Sequence, residues 1–133
     1  MLAFPSRVRH AHARKPAAAR EEMRALIVDG DCGMRQALSA IVGELGLEVT
    51  DAATVFTASG HLAAEAYDLL VLSLLLPDGT GMDVVRAAHR LGCEAPFLLV
   101  TGAHDLDALP AAVGAVLGSD ELQEAALPTC SRP

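Results

Sequence analysis

Residues 67–81 read YDLLVLSLLLPDGTG, and the middle of this stretch limits the folds open to the chain more than any other. Leu69, Leu70, Val71 and Leu72 follow Asp68 with no polar residue among them, so the strand they predict has no face to give to water. Strands covered on both sides belong at the centre of a parallel sheet with helices above and below. The run ends in Ser73-Leu74-Leu75-Leu76, and Pro77-Asp78-Gly79-Thr80-Gly81 then stops any regular element. In open parallel sheets, ligands and chemistry sit just beyond the carboxyl ends of the strands. Ser73 falls there, a hydroxyl among leucines, and its plainest reading is a core serine bonded to a neighbouring carbonyl.

The flanking sequence supplies the remaining units. Arg24 to Val28 predicts a short buried strand stopped by Asp29-Gly30-Asp31. Met34, Ala37, Leu38, Ile41, Val42 and Leu45 recur at helical spacing over residues 33–45, and Gly46 ends that helix. Residues 47–51 read as a second, edge-like strand and residues 58–66 as an alanine-rich helix. Met82, Val84, Val85, Ala88 and Leu91 mark a third helix closed by Gly92. Residues 95–101 read as another apolar strand, residues 105–112 as a short helix weakened by Pro110, residues 113–117 as a fifth strand, and residues 120–127 as a last short helix that Asp120 can cap. Five βα units in alternation predict an α/β, doubly wound, five-stranded parallel sheet of flavodoxin-like form, in the order 2-1-3-4-5. Its switch point, between the first and third strands, gathers Asp29, Gly30, Asp31 and Ser73, and the fourth strand adds Thr101.

Composition narrows the class. The chain has 133 residues, room for one domain with short appendages. With aromatics at 3 % and no Trp, its core must be aliphatic. No apolar run approaches the roughly 20 residues of a membrane span. Three cysteines, Cys32, Cys93 and Cys130, form no pair or metal spacing and read as free thiols, which points to the cytoplasm. Residues 1–20 hold Arg7, Arg9, Arg14, Lys15 and Arg20 with no acid, whereas the remainder holds all seventeen acids. A domain so acidic has no electrostatic footprint for nucleic acid, which only the tail could touch. The predicted organisation is a basic, disordered tail over residues 1–22, a domain over 23–127, and a C-terminal tail over 128–133. His10 and His12 have no neighbours to complete a metal site.

LIVDGD (residues 26–31), YDLLVLSLLLPDGTGMDVV (67–85) and FLLVTG (97–102) resemble the receiver domain of two-component response regulators, over roughly residues 23–127. The resemblance implies phosphoryl transfer from a histidine kinase to an aspartate at the end of the third strand. It also implies an acidic pair after the first strand that holds Mg²⁺, a Thr or Ser after the fourth strand, and a Lys after the fifth. Carried over by position, Asp29 matches the first acid and Thr101 is kept. Gly30 stands where the second acid belongs, and Ser73 where the acceptor aspartate belongs. The single lysine is Lys15, in the tail.

These departures predict a degenerate receiver. Serine needs a base to take its proton, and a carboxylate such as that of Asp29 is a poor one. Mg²⁺ is held by one or two carboxylates with phosphate oxygens, and here Asp29 remains with Asp31 as a possible substitute, so binding of Mg²⁺ is expected to be weak or absent. Loss of a preorganised donor such as the lysine costs roughly 3 kcal/mol in other sites. Replacing two carboxylates also relieves their mutual repulsion. The expected activity is therefore non-enzymatic: a stand-alone receiver in phosphorelay signalling that docks to a kinase, phosphotransfer protein or other regulator without phosphorylation. Met34 and Arg35 on the first helix offer one docking surface. Two other readings stay open, a phosphotransfer receiver using Ser73 or Asp78 as acceptor, and a flavodoxin-like module binding a small ligand. Cys32, at a helix start, could be a redox thiol but reads more plainly as a small residue, His104 as a phosphocarrier lacks a partner in the sequence, and Asp78 also reads as a plain turn residue.

Overall fold

The computed structural model describes residues 23–118. Four parallel strands form the sheet: β1 (Arg24–Val28), β2 (Glu48–Ala52), β3 (Leu69–Ser73) and β4 (Phe97–Val100), in the order β2-β1-β3-β4. Between them run α1 (Cys32–Glu44), α2 (Val55–Ala64) and α3 (Gly81–Arg90), and α4 (Leu109–Leu117) follows β4 through a single 3₁₀ turn, Ala103–Asp105. Leu69, Leu70, Val71 and Leu72 are all buried, as a strand without a polar face requires. Alternate residues of β1 and β3 feed two cores. Leu26, Val28, Leu70 and Leu72 pack under α2 and α3, while Ala25, Ile27, Leu69 and Val71 pack under α1 and α4. At the start of the central pair, the buried Asp68 carboxylate accepts the Arg24 N–H at 2.8 Å, which fixes the register of β3 on β1.

Each helix start follows from local chemistry. Asp31 accepts the Met34 N–H at 2.8 Å and caps α1, a contact worth about 1 kcal/mol. Thr54 caps α2. Thr80 and Asp83 exchange hydrogen bonds in a capping box at α3.

Residues 113–117, predicted as a fifth strand, are helical, and residues 120–127 lie outside the described residues, as do both tails. Pro110 does not weaken the helix because it stands in the first turn, where its missing N–H has no intrahelical partner to lose. Leu109 and Val113 are then one turn apart on the buried side of α4, against Leu38 and Val42. A short apolar run fits either period, and Val113–Gly–Ala–Val116 reads as strand only if its neighbours are ignored. The helix also lies on an unexpected face. A fourth helix leading by a right-handed crossover to a strand beyond β4 would pack with α2 and α3, whereas α4 packs with α1. Among the described residues, β4 pairs only with β3.

The loop from β3 to α3 is held at three points. Leu75–Leu76 pairs with Gly79–Thr80 as a two-stranded antiparallel ribbon. Gly81 lies so close to the end of β3 that a Cβ there would come within 2.5 Å of the Ser73 carbonyl oxygen. Asp78 reaches across to α2 and accepts the N–H groups of Val55 (2.7 Å) and Phe56 (3.0 Å). These bonds, that from Val55 foremost, hold the Asp78 carboxyl below the ordinary carboxylate range.

Gly81→Ala should lower stability by about 1–3 kcal/mol, because backbone must move on both sides of the contact. Gly60→Ala, in α2 with nothing near the new methyl, should raise it by about 0.5–1 kcal/mol. Urea unfolding of both variants checks the pair, and equal effects would refute the crowding at Gly81. A carboxylate with a depressed folded pKa stabilises above its unfolded value and loses that contribution as pH falls through the folded value. Hydrogen-exchange protection of the Val55 and Phe56 amides should accordingly fall as Asp78 titrates in acid. Asp78→Asn should remove that pH dependence; an unchanged profile in the variant would contradict it.

Candidate functional site

The carboxyl ends of β1, β3 and β4 bring Asp29, Ser73 and Thr101 to one pole of the sheet, as expected from the strand order. The side chains there are turned onto the protein itself. Asp29 is buried, and its Oδ1 accepts the Asp31 N–H at 2.8 Å. Asp31 is exposed but its Oδ2 is occupied by the α1 cap. Ser73 pairs with Val100 across the strands, and its Oγ donates to the Leu75 carbonyl at 3.0 Å. Thr101 gives both its N–H (2.8 Å) and its hydroxyl (3.1 Å) to Oδ2 of Asp105. Those donors, the amide first, hold the Asp105 carboxyl below its usual range.

Gly30 is exposed, yet a Cβ at this position would lie 3.0 Å from Cδ of Pro77 and 3.3 Å from its Cγ. Pro77 of the loop after β3 thus lies close to the place where a larger residue would project, and would have to give by a few tenths of an ångström to admit one.

Other candidates are placed apart from this chemistry. Met34 is half-buried and packs against the core beneath α1. Arg35 donates to the Asp29 carbonyl at 2.9 Å and stands 3.6 Å from Asp51, so it braces β1, α1 and β2. Cys32 is exposed at the first residue of α1, and Cys93 is buried. His104 is exposed with its Nε2 3.5 Å from Asp105. Asp78 is more than a turn residue, since it holds the start of α2. Neither the Asp105 bonds to Thr101 nor the seat of Pro77 on Gly30 was expected. The first had a signal in the four-residue spacing of Thr101 and Asp105; the second, a contact across 47 residues of chain, had none.

The donor set can be tested against a divalent cation. Hard cations such as Mg²⁺ take oxygen ligands, usually carboxylates with phosphate and water. At this pole Asp29 is the one buried carboxylate, Gly30 offers no side chain, and Ser73 offers a hydroxyl already committed to Leu75. Among the described residues, no three His, Cys, Asp or Glu side chains converge as a metal set. The residues present do not fit Mg²⁺.

Residues 25–118 match the family model of the Response regulator receiver domain. The chain is 33% identical over 84 residues to Response regulator protein PilR of Pseudomonas aeruginosa, a match covering 63% of this chain and 19% of that protein. Among solved structures it is similar to a CheY-like receiver domain protein from Methanospirillum hungatei, with a TM-score of 0.61 at 20% identity, covering 78% of this chain and 98% of that one. One chain in the crystal structure of histidine kinase ThkA in complex with response regulator protein TrrA matches at 26% identity and a TM-score of 0.54, covering 60% of this chain and 69% of that one. This chain belongs, through residues 25–118, to the response regulator receiver family of two-component signalling.

Proposed function

We propose that this receiver signals without being phosphorylated, by docking to a partner protein in a two-component pathway. The observation that carries the reading is the state of Ser73. Its hydroxyl stands at the acceptor position implied by the resemblance, yet its proton is directed at the Leu75 carbonyl. A serine becomes a competent nucleophile only when a positioned base takes that proton, and a main-chain carbonyl is no base.

Electrostatics support the same reading. A phosphodonor approaching this pole would meet Asp29, Asp31 and Asp105 with no Mg²⁺ set to offset them and no lysine among the described residues. Asp78 is a poor alternative acceptor, since two amide donors stabilise its charge and hold it at α2. Thr101, bonded twice to Asp105, has a structural task that needs no phosphoryl group. The proposed role is non-catalytic, with Mg²⁺ binding weak or absent. The ThkA–TrrA complex makes a histidine kinase a reasonable class of partner, beside phosphotransfer proteins and other regulators. No helix among the described residues is long and apolar enough to cross a membrane.

Intact-mass measurement after incubation with acetyl phosphate and Mg²⁺, or with a phosphorylated histidine kinase, tests the proposal. The expected outcome is an unchanged mass. Stoichiometric gain of a phosphoryl group mapped to Ser73 or Asp78 would refute it, and the acid stability of that label would separate a serine ester from an acyl phosphate.

A further inference from the structure

Phe56, Leu74 and Leu75 are large apolar side chains left 82%, 43% and 72% exposed. Phe56 stands in the first turn of α2, Leu74 follows Ser73, and Leu75 lies in the ribbon opposite Thr80. Asp78 ties the first to the ribbon through its bonds to Val55 and Phe56, so all three share the rim of the pole that holds Ser73. Clustered apolar exposure with a polar border marks an interaction surface rather than scattered hydrophobes.

The border has one dominant sign. Asp29, Asp31, Asp51, Asp78 and Asp105 belong to strand ends and loops of this pole. Arg35, beside them, is turned onto Asp29 and Asp51, and His104 lies against Asp105. A second copy of this surface would bring like charge to like charge, which opposes self-association. The occupant that fits is cationic with a few apolar side chains. Residues 1–20 have that chemistry: Arg7, Arg9, Arg14, Lys15 and Arg20 without an acid, and Leu2, Phe4 and Val8 among them.

We propose that this N-terminal segment docks on the same molecule across Phe56, Leu74 and Leu75. Reach does not limit the contact. β1 starts at the opposite pole and its five residues span about 17 Å, whereas twenty extended residues reach about 60 Å. The docking depends on exposure and charge alone, so it holds whether or not Ser73 accepts a phosphoryl group.

Trypsin cleavage of the full chain at Arg7, Arg9 and Arg14, followed by mass spectrometry, tests this, with a free peptide of residues 1–22 cut alongside. At low salt the chain should be cut about tenfold more slowly than the peptide, equivalent to about 1.4 kcal/mol of docking. The protection should vanish near 1 M NaCl, where the Debye length is about 3 Å. It should also vanish in the double variant Phe56→Ser, Leu75→Ser, whose exposed positions leave the fold intact by circular dichroism. Cleavage of the wild type at the peptide rate would overturn the proposal. So would protection that the double variant retains, or protection that rises with protein concentration.

Discussion

The return of the chain after β3 is the constraint on which the site depends. Gly81 meets the Ser73 carbonyl where no side chain has room, and the ribbon between them stays closed by its pairing. From this closed loop Pro77 is set on Gly30 and Asp78 on the amides of α2. One short segment therefore joins the ends of β1 and β3 to the start of α2. A loop tied at so many points resists displacement. The charges involved, those of Asp78 and Asp83, are each met by main-chain amide donors.

The electrostatics of the pole are consistent with that closure. Each polar group has found a partner within the chain: Asp29 an amide, Asp31 a helix start, Ser73 a carbonyl, Thr101 a carboxylate. Polar groups that satisfy one another locally favour a single conformation, which suits a surface recognised by shape. On the proposed reading, a serine at residue 73 and a glycine at residue 30 go together physically. A carboxylate at either place alone would add charge near Asp29 with no cation to balance it.

Much of the fold was legible because period and capping agreed. The leucine run of β3 has no polar face, α1 has a clear apolar stripe behind Asp31, and Thr80 with Asp83 announces α3. The strand order followed from these elements and from right-handed crossovers. Residues 113–117 were misread because their run of Val, Gly, Ala and Leu carries no polar residue to set a period, and Pro110 seemed to weaken a helix that it instead begins. The position of Ser73 was legible, and so was a bond to a neighbouring carbonyl, but not which carbonyl. A hydroxyl two residues from a carbonyl can turn either way, and only the ribbon geometry decides.

The central claim is that this pole has no place for a cation or the phosphoryl group it would accompany. Backbone amide shifts of the full chain, followed through a titration with millimolar Mg²⁺, test it most directly. The account predicts no saturable change at Asp29, Gly30, Ser73 or Thr101 beyond what matched Na⁺ produces. Saturable shifts centred on Asp29 and Ser73 would contradict it.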